Sequence, residues 1–142
     1  MRINEIMTRE VRTVTLEHSL QDAARLMGII DAGFLPVEDN DRLVGTITDR
    51  DMALRALAEG LGPETPVSEV MSREVKYCFE DEDVEHVARN MGEIQVRRLP
   101  VVNRDKRLVG VVSLGDMAID ALSADAAETA LSGISQPNAR AH

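Results

Sequence analysis

The chain has a single cysteine, Cys78, three aromatic residues and no tryptophan. One cysteine cannot form an intrachain disulfide, so a disulfide-stapled secreted scaffold is excluded and a reducing cytoplasm is the expected location. Three rings are too few for the stacking platforms that bind single-stranded nucleic acids. No stretch approaches the ~18–20 apolar residues of a membrane helix, and the charged N-terminus lacks the apolar run of a signal peptide, so we expect neither membrane insertion nor export.

Acidic residues outnumber basic ones by 25 to 16, which gives a formal net charge of −9. Such a field repels nucleic acid, and an anionic ligand would need a local cluster of positive charge. Catalytic groups are also scarce, because His18, His86 and His142 share no metal-ligand spacing and no Ser-His-Asp or Cys-His arrangement can be proposed. We therefore expect no enzymatic activity, no metal site, no nucleic-acid partner and no membrane partner.

The sequence contains an internal repeat. A shift of 64 positions superimposes the segment from Ile6 to Arg12 on that from Val70 to Lys76, and it brings Leu35-Pro36-Val37 onto Leu99-Pro100-Val101. One residue is added in a turn, after which the shift is 65 and Asp51 falls on Asp116. A repeat of this kind decides the architecture. The predicted organisation is a first repeat at 1–60, a linker at 61–68, a second repeat at 69–124 and a C-terminal segment at 125–142.

Within each repeat the hydrophobic periodicity predicts the order strand, helix, strand, strand, helix. The first repeat begins with a strand over Val11 to Thr15. A helix follows that is capped by Ser19 with Asp22, has Ala24 on its apolar face and ends at Gly33. The last elements are a hairpin over Phe34 to Val37 and Leu43 to Thr48 and a helix over Asp49 to Glu59. In the second they are a helix capped by Asp81 or Asp83 and running to Ile94, strands near Leu99 to Asn103 and Leu108 to Ser113, and a helix from Leu114 to Leu122. A repeat of this size buries little surface alone. The predicted fold is therefore α/β (α+β), with two βαββα repeats packed through their sheets.

One motif, Gly-x-Ile/Val-Thr/Ser-x-x-Asp, closes the last strand of each repeat. It comprises Gly45, Thr48 and Asp51 in the first repeat and Gly110, Ser113 and Asp116 in the second. A hydroxyl residue followed three positions later by an acid is typical of a capping box that opens a helix. A helix N-terminus also suits a phosphate, with the hydroxyl as an additional donor. Both interpretations stay open at this point.

The aspartate of the motif would repel a phosphate, so in a nucleotide site it should face a group that donates hydrogen bonds. An ionised carboxylate only accepts, and the two hydroxyls of a ribose are matching donors. The glycine of the motif would then allow the ligand to approach the backbone closely. The motif therefore favours a nucleotide whose phosphate lies at the hydroxyl and whose ribose lies at the carboxylate.

The paired Leu-Pro-Val segments, the paired Leu-Val-Gly turns and the paired motifs together resemble the tandem CBS-domain pair, or Bateman module, over residues 3–122. The chain is similar in particular to the stand-alone proteins of that family. The resemblance implies two units packed through their sheets, ligand sites in the clefts between them and a homodimer of two pairs. It also implies a regulatory sensor that needs no cofactor, takes AMP, ADP, ATP or another adenosine compound as its ligand, and acts on a regulated partner protein.

By the same resemblance the motif hydroxyls contact phosphate and the motif aspartates contact ribose, while the first strand lines the base pocket and basic residues before Leu-Pro-Val reach phosphate. The implied ligand-binding residues are Thr13, Val14, Thr48, Asp51, Tyr77, Arg97, Arg98, Ser113 and Asp116. The first repeat departs from this pattern, because Gly33 and Phe34 replace the basic pair, so equal occupancy of the two sites is not expected. The alternative is a structural homodimer or interaction protein with degenerate sites, in which the motif residues only cap helices and the arginines are solvated.

Overall fold

A computed structural model describes residues 1–119 of the chain. The predicted end of the last helix at Leu122 and the C-terminal segment 125–142 lie outside the described residues. In the first repeat the elements are a 3-10 turn (Ile3–Glu5), β1 (Val14–Thr15), α1 (Leu20–Ile30), β2 (Phe34–Asp39), β3 (Arg42–Thr48) and α2 (Asp49–Asp51), which continues as a π-helix (Met52–Leu57). In the second they are a 3-10 turn (Val67–Glu69), β4 (Cys78–Phe79), α3 (Val84–Ile94), β5 (Arg98–Val102), β6 (Leu108–Ser113) and α4 (Leu114–Ile119).

The strands form two three-stranded sheets with the same topology. The first sheet has the order β1-β2-β3 and the second the order β4-β5-β6. In each, the first strand pairs with the second in parallel and the second pairs with the third as an antiparallel hairpin. Val37 lies opposite Gly45 in one sheet and Val101 lies opposite Gly110 in the other. The predicted α+β class and the βαββα order are confirmed.

The two long helices begin where the sequence predicts. Ser19 caps α1 in a capping box with Asp22, and Asp83, rather than Asp81, caps α3 by accepting a hydrogen bond from the backbone of His86. The predicted end of α1 at Gly33 is wrong by two residues, because Asp31 adopts the left-handed conformation (φ 54°) that closes the helix. Aspartate tolerates this conformation better than most side chains.

Contact between segments divides the chain into two compact units. The first-repeat unit is Arg12–Val75, and the second-repeat unit joins Met1–Val11 to the chain from Lys76 onward. The spatial units therefore cut across the sequence repeats, since the first residues of each repeat lie in the unit of the other. Thr8 forms a β-bridge with Val111, and Ser72 forms the equivalent bridge with Thr46.

Each unit has its own hydrophobic core. The core of the first-repeat unit consists of Val14, Leu20, Ala23, Met27, Leu35, Val37, Ile47, Ala56, Val67, Val70 and Met71. The core of the second-repeat unit consists of Ile3, Ile6, Met7, Cys78, Val84, Val87, Ala88, Met91, Leu99, Val101, Val112, Leu114 and Met117. The predicted apolar face of α1 is confirmed except for Ala24, which is exposed while its counterpart Ala88 is fully buried.

Candidate functional site

Strand pairing brings the motif and the residues before Leu-Pro-Val to one edge of each sheet, because Phe34 pairs with Thr48 and Arg98 pairs with Ser113. The first strands do not reach this edge: Val14 pairs with Val37 and Cys78 with Val101, so these two residues, preceded by Thr13 and Tyr77, lie three residues inside it. The edge carries Thr48 and Asp51 in the first-repeat unit and Arg97, Arg98, Ser113 and Asp116 in the second-repeat unit. We call these the Thr48 edge and the Ser113 edge.

At the Thr48 edge the motif forms a capping box. Thr48 Oγ1 accepts a hydrogen bond of 3.0 Å from the backbone N–H of Asp51, and Asp51 Oδ2 accepts one of 3.0 Å from the backbone N–H of Thr48. Phe34 lies directly opposite Thr48 in the hairpin. The capping interpretation of the motif is thus confirmed. These bonds still leave the hydroxyl hydrogen of Thr48 and the second carboxylate oxygen of Asp51 for another partner.

The Ser113 edge repeats this arrangement with different neighbours. Ser113 Oγ accepts from the backbone N–H of Asp116, and Asp116 Oδ2 accepts from the backbone N–H of Ser113, both at 3.1 Å. Arg98 takes the place of Phe34 and lies opposite Ser113. Both Arg97 and Arg98 are exposed, and within residues 1–117 neither guanidinium has an ion-pair partner. Positive charge is therefore available beside Ser113, as an anionic group would require.

Tyr77 belongs to a small stack along β4, whose Phe79 pairs with Val102 at the end of β5 away from Ser113. Its ring meets Phe79 edge to face at 5.7 Å between centroids, and the Arg104 guanidinium lies 4.2 Å from the centre of the Phe79 ring. Arg104 is held by a bidentate ion pair to Asp81, with distances of 2.9 and 2.7 Å. The hydrogen bonds from Arg104 lower the pKa of the Asp81 carboxyl. The stack orients Tyr77, which remains 36% exposed.

The first strand offers less to a ligand than the sequence predicts. Only Val14 and Thr15 of the predicted strand from Val11 pair with β2. The side chain of Val14 packs into the core and is 2% exposed, so it has almost no surface to offer a ligand. Thr13 is half-buried, as are Val11 and Thr15, and Arg12 is exposed.

The chain itself packs closely against the two motif glycines, and the approach of a ligand there stays a prediction. A Cβ on Gly45 would lie 2.8 Å from both Met71 Sδ and the carbonyl oxygen of Ser72, and a Cβ on Gly110 would meet Met7 and Thr8 at similar distances. The close approach is thus made by the chain itself, in the segment that begins the other repeat. Glycine is needed there because any larger residue would push that segment away.

Sequence reasoning missed one residue beside the motif. Arg55, one turn after Asp51, places its Nε 3.9 Å from Asp51 Oδ1. The four-residue spacing from Asp51 was the available indication, since acid and base at this spacing share a helix face.

Histidine and cysteine serve the fold in the part of the chain described. His18 Nδ1 accepts a hydrogen bond of 2.8 Å from the backbone N–H of Thr15, just as Glu82 accepts one of 2.7 Å from Phe79 in the other repeat. Cys78 is buried, and its burial, with a smaller contribution from the charge of Glu82, raises the pKa of the thiol to about 12. Within residues 1–117 no three His, Cys, Asp or Glu side chains are grouped so that they could hold a metal ion. In the same part of the chain, no helix has the length and apolar character to cross a bilayer.

Comparison with known proteins identifies the repeats. The family model of the CBS domain matches residues 3–57 and again 67–119. The CBS domain-containing protein YhcV of Bacillus subtilis is 41% identical over 136 residues, which cover 96% of each chain. Hypoxic response protein 1 of Mycobacterium tuberculosis is 38% identical over 116 residues, which cover 80% of each chain.

Solved structures agree with the sequence matches. The crystal structure of Hypoxic Response Protein I, described with two coordinated zinc ions, superimposes with a TM-score of 0.77 at 35% identity and covers 86% of this chain and 100% of that one. The CBS domain pair of MJ0100, in complex with 5′-methylthioadenosine and S-adenosylmethionine, gives a TM-score of 0.72 at 32% identity over 84% of this chain and 94% of that one. Two family matches, relatives of nearly the same length and the duplicated sheet topology agree, so this chain belongs to the CBS domain family as a tandem pair.

Proposed function

We propose that this CBS pair is a non-enzymatic, cytoplasmic sensor that binds an adenosine-containing ligand of the AMP, ADP or ATP type. The observation that carries the proposal is the free hydrogen-bonding capacity of the two capping boxes. Each keeps one hydroxyl hydrogen and one carboxylate oxygen after its helix has been capped. A hydroxyl donor suits a phosphate and a carboxylate acceptor suits the diol of a ribose, so one nucleotide would satisfy both groups.

Two further features support an adenosine ligand. The MJ0100 pair was crystallised with two adenosine compounds. Arg97 and Arg98 supply positive charge at the Ser113 edge, where a phosphate would otherwise meet the acidic field of the chain. Phe34 replaces arginine at the Thr48 edge, so we expect phosphorylated ligands to bind more tightly beside Ser113 than beside Thr48. A bound ligand would act by preferring one of two conformations of the pair, which is the only way in which binding shifts an equilibrium.

Removing both motif aspartates should weaken adenosine binding strongly. Asp51→Ala combined with Asp116→Ala should weaken the binding of AMP roughly tenfold or more, because each ribose loses hydrogen bonds to a charged acceptor. Isothermal titration calorimetry with AMP, ADP, ATP, 5′-methylthioadenosine and S-adenosylmethionine measures this directly.

A matched control separates binding from capping. Asp22 closes an equivalent capping box with Ser19 at the start of α1, which lies at the opposite edge of the sheet. Asp22→Ala should lower stability about as much as Asp51→Ala, by ~0.5–2 kcal/mol, and should leave adenosine affinity unchanged. Undiminished binding in the double variant would refute the site assignment, and a wild-type protein that binds none of the five compounds would refute the proposed function.

Exposed apolar side chains support dimerisation with a second copy of this chain. The alternative function, a structural homodimer, requires the same dimerisation. Ile29, Leu54 and Leu57 are 74%, 52% and 78% exposed on α1 and the π-helix. The position of Ile29 carries Glu93 in the second repeat, whereas Leu54 and Leu57 fall on Ile119 and Leu122, so Ile29 is what distinguishes the apolar patch of the first repeat. Apolar groups of this size favour burial against a partner.

Charging this patch should convert a dimer into a monomer. Ile29→Glu combined with Leu57→Glu should halve the mass measured by sedimentation, because burying two carboxylates in an interface is strongly unfavourable. Gln21→Glu adds a charge at another exposed position of α1 and should leave the mass unchanged. A monomeric wild-type protein, or a double variant that keeps the mass of a dimer, would contradict this interface.

A further inference from the structure

Arg55 touches both the candidate ligand carboxylate and a second segment of the first-repeat unit. Its Nε lies 3.9 Å from Asp51 Oδ1, and its Nη1 donates to the carbonyl oxygens of Val70 and Met71, each at 3.4 Å. The carboxylate is well covered, with 17% of its side chain exposed. One planar guanidinium thus reaches in two directions, which its fork of donors permits.

The backbone changes its helical form where Arg55 projects. After Asp51 the α-helix becomes a π-helix over Met52–Leu57, and the backbone N–H of Ala58 bonds the carbonyl of Ala53, five residues earlier. π-Helical turns are rare and are concentrated at functional sites. The altered turn follows the candidate ligand carboxylate directly and contains the residue that contacts it.

The segment held by Arg55 is also fastened to the strand that ends at the motif. Ser72 and Thr46 exchange two backbone hydrogen bonds of 2.8 and 3.0 Å, and Met71 packs against Gly45 of the same strand. Four residues after Ser72 the chain enters the second-repeat unit at Lys76. Any change in the hydrogen bonds from Arg55 to Val70 and Met71 therefore affects the segment that links the two units covalently.

We propose that Arg55 is a positioning residue that orients Asp51 for the ligand and couples occupancy of the Thr48 edge to the segment Val70–Ser72. This rests on the proposed function, because it takes Asp51 as the group that accepts the ribose hydroxyls. Hydroxyls that donate to Asp51 Oδ1 reduce the negative charge that Arg55 faces, and this alters its hold on the two carbonyls. Coupling of this kind is reciprocal, so the state of the segment also sets the affinity for the ligand.

The sequence makes the coupling one-sided. At the shift of 65 positions that superimposes Asp51 on Asp116, Arg55 falls on Asp120. A carboxylate there lacks the donors that Arg55 uses toward Val70 and Met71. The link from ligand site to inter-unit segment is therefore a property of the first repeat.

Hydrogen–deuterium exchange of the ligand-free protein tests the contact itself. Both Arg55→Ala and Asp51→Asn should speed exchange in the peptide that contains Val70–Ser72 by about two- to fivefold, as expected for the loss of a partly exposed ion pair. Arg25→Ala removes an equal charge from an exposed position of α1 and should have no effect. Wild-type exchange in Arg55→Ala would overturn the proposal, whatever the protein binds.

Adding AMP tests the coupling. At AMP concentrations that fill the Thr48 edge as well as the Ser113 edge, exchange in Val70–Ser72 should change in the wild-type protein, and in Arg55→Ala this response should vanish while the affinity of the Thr48 edge falls severalfold. Arg55→Lys keeps a positive charge near Asp51, but its single nitrogen cannot contact Asp51 and the two carbonyls at once as Nε and Nη1 do, so it should bind AMP with nearly wild-type affinity and still lose the response. A response that persists in both variants overturns the proposal. If AMP does not bind the wild-type protein by calorimetry, the proposed AMP site fails, whereas the ligand-free measurement still decides the role of Arg55.

Discussion

Replacing Ile3 with alanine should destabilise the second-repeat unit by about 2–5 kcal/mol, although Ile3 belongs to the first repeat in the sequence. Its side chain is fully buried in the core that contains Cys78, Val84 and Met91. Its backbone N–H also donates to the carbonyl of Glu82 at 3.0 Å. Truncation to alanine would remove three carbon atoms from this core and leave a cavity that the neighbouring side chains fill only in part.

Cys78 provides a probe of this unit without any engineering. It is the only cysteine of the chain, and it lies in the same core as Ile3. Because burial raises the pKa of the thiol from its ordinary value of 9.0 to about 12, the folded protein presents almost no reactive thiolate at pH 8. Labelling by a disulfide reagent therefore reports opening of the unit, and an Ile3→Ala variant should be labelled about 30-fold faster or more.

The raised thiol pKa also fixes the direction of a pH effect. Above pH 9 the thiol of the unfolded chain ionises, whereas that of the folded chain stays protonated up to about pH 12. The stability that the buried thiol contributes is therefore present below pH 9 and is lost between pH 9 and about pH 12. Labelling experiments that compare variants should stay below this range.

Val67→Ala is the matched control for Ile3→Ala. Val67 is the counterpart of Ile3 in the second repeat, 64 positions later, and is equally buried. It lies, however, in the core of the first-repeat unit with Val14 and Leu35. We expect it to lower overall stability while leaving Cys78 labelling close to the wild-type rate. If both variants accelerated Cys78 labelling equally, Met1–Val11 would not belong to a second-repeat unit that unfolds independently of the first.

Gly110→Ala should destabilise the fold by about 1–3 kcal/mol or more, as overpacking does elsewhere. The new Cβ would lie 2.6 Å from Met7 Sδ and 2.9 Å from the carbonyl oxygen of Thr8. The thioether can move aside, but the carbonyl cannot, because the backbone of Thr8 exchanges hydrogen bonds of 2.9 and 3.0 Å with Val111. Gly45→Ala should behave alike against Met71 and Ser72. Urea unfolding measures both losses.

Gly28→Ala calibrates this measurement. Gly28 lies within α1, and a Cβ added there would have no other atom within 4 Å, so alanine should stabilise the helix by ~0.5–1 kcal/mol. The comparison also separates two roles for the motif glycine. If Gly110 served the approach of a ligand instead, Gly110→Ala would weaken AMP binding at unchanged stability, and that result would contradict the packing role.

Local chemistry made the elements predictable. The side chains of Ser19 and Asp22 favour the start of a helix, and the turn Asp39-Asn40-Asp41 favours a hairpin. The structure shows both. The strand β1 is shorter than its β-branched residues indicate, because only Val14 and Thr15 find partners in β2. The helical spacing of this segment predicts a helix but not its π-type hydrogen bonds, and it does not indicate that Arg55 contacts a segment 15 and 16 residues away.

The exchange of segments could not be predicted for a different reason. Ile3 and Val67, like Met7 and Met71, occupy equivalent positions in the two repeats and have similar side chains. Either segment would satisfy the hydrophobic pattern of either sheet, so periodicity carries no information about which partner each one finds. The candidate site was more accessible, because Thr48, Asp51, Ser113 and Asp116 are placed by local turns that each repeat forms by itself.

The arrangement of the two units sets an order of events during synthesis. The first-repeat unit is continuous, from Arg12 to Val75, and holds everything it needs once those residues have left the ribosome. The segment Met1–Val11 emerges earlier, but its partner strand β6 is made more than ninety residues later. Throughout that interval Ile3, Ile6 and Met7 have no core to enter, and exposed apolar segments of nascent chains are where misassembly begins. Met1–Val11 can thus complete its packing only after β6 has been made.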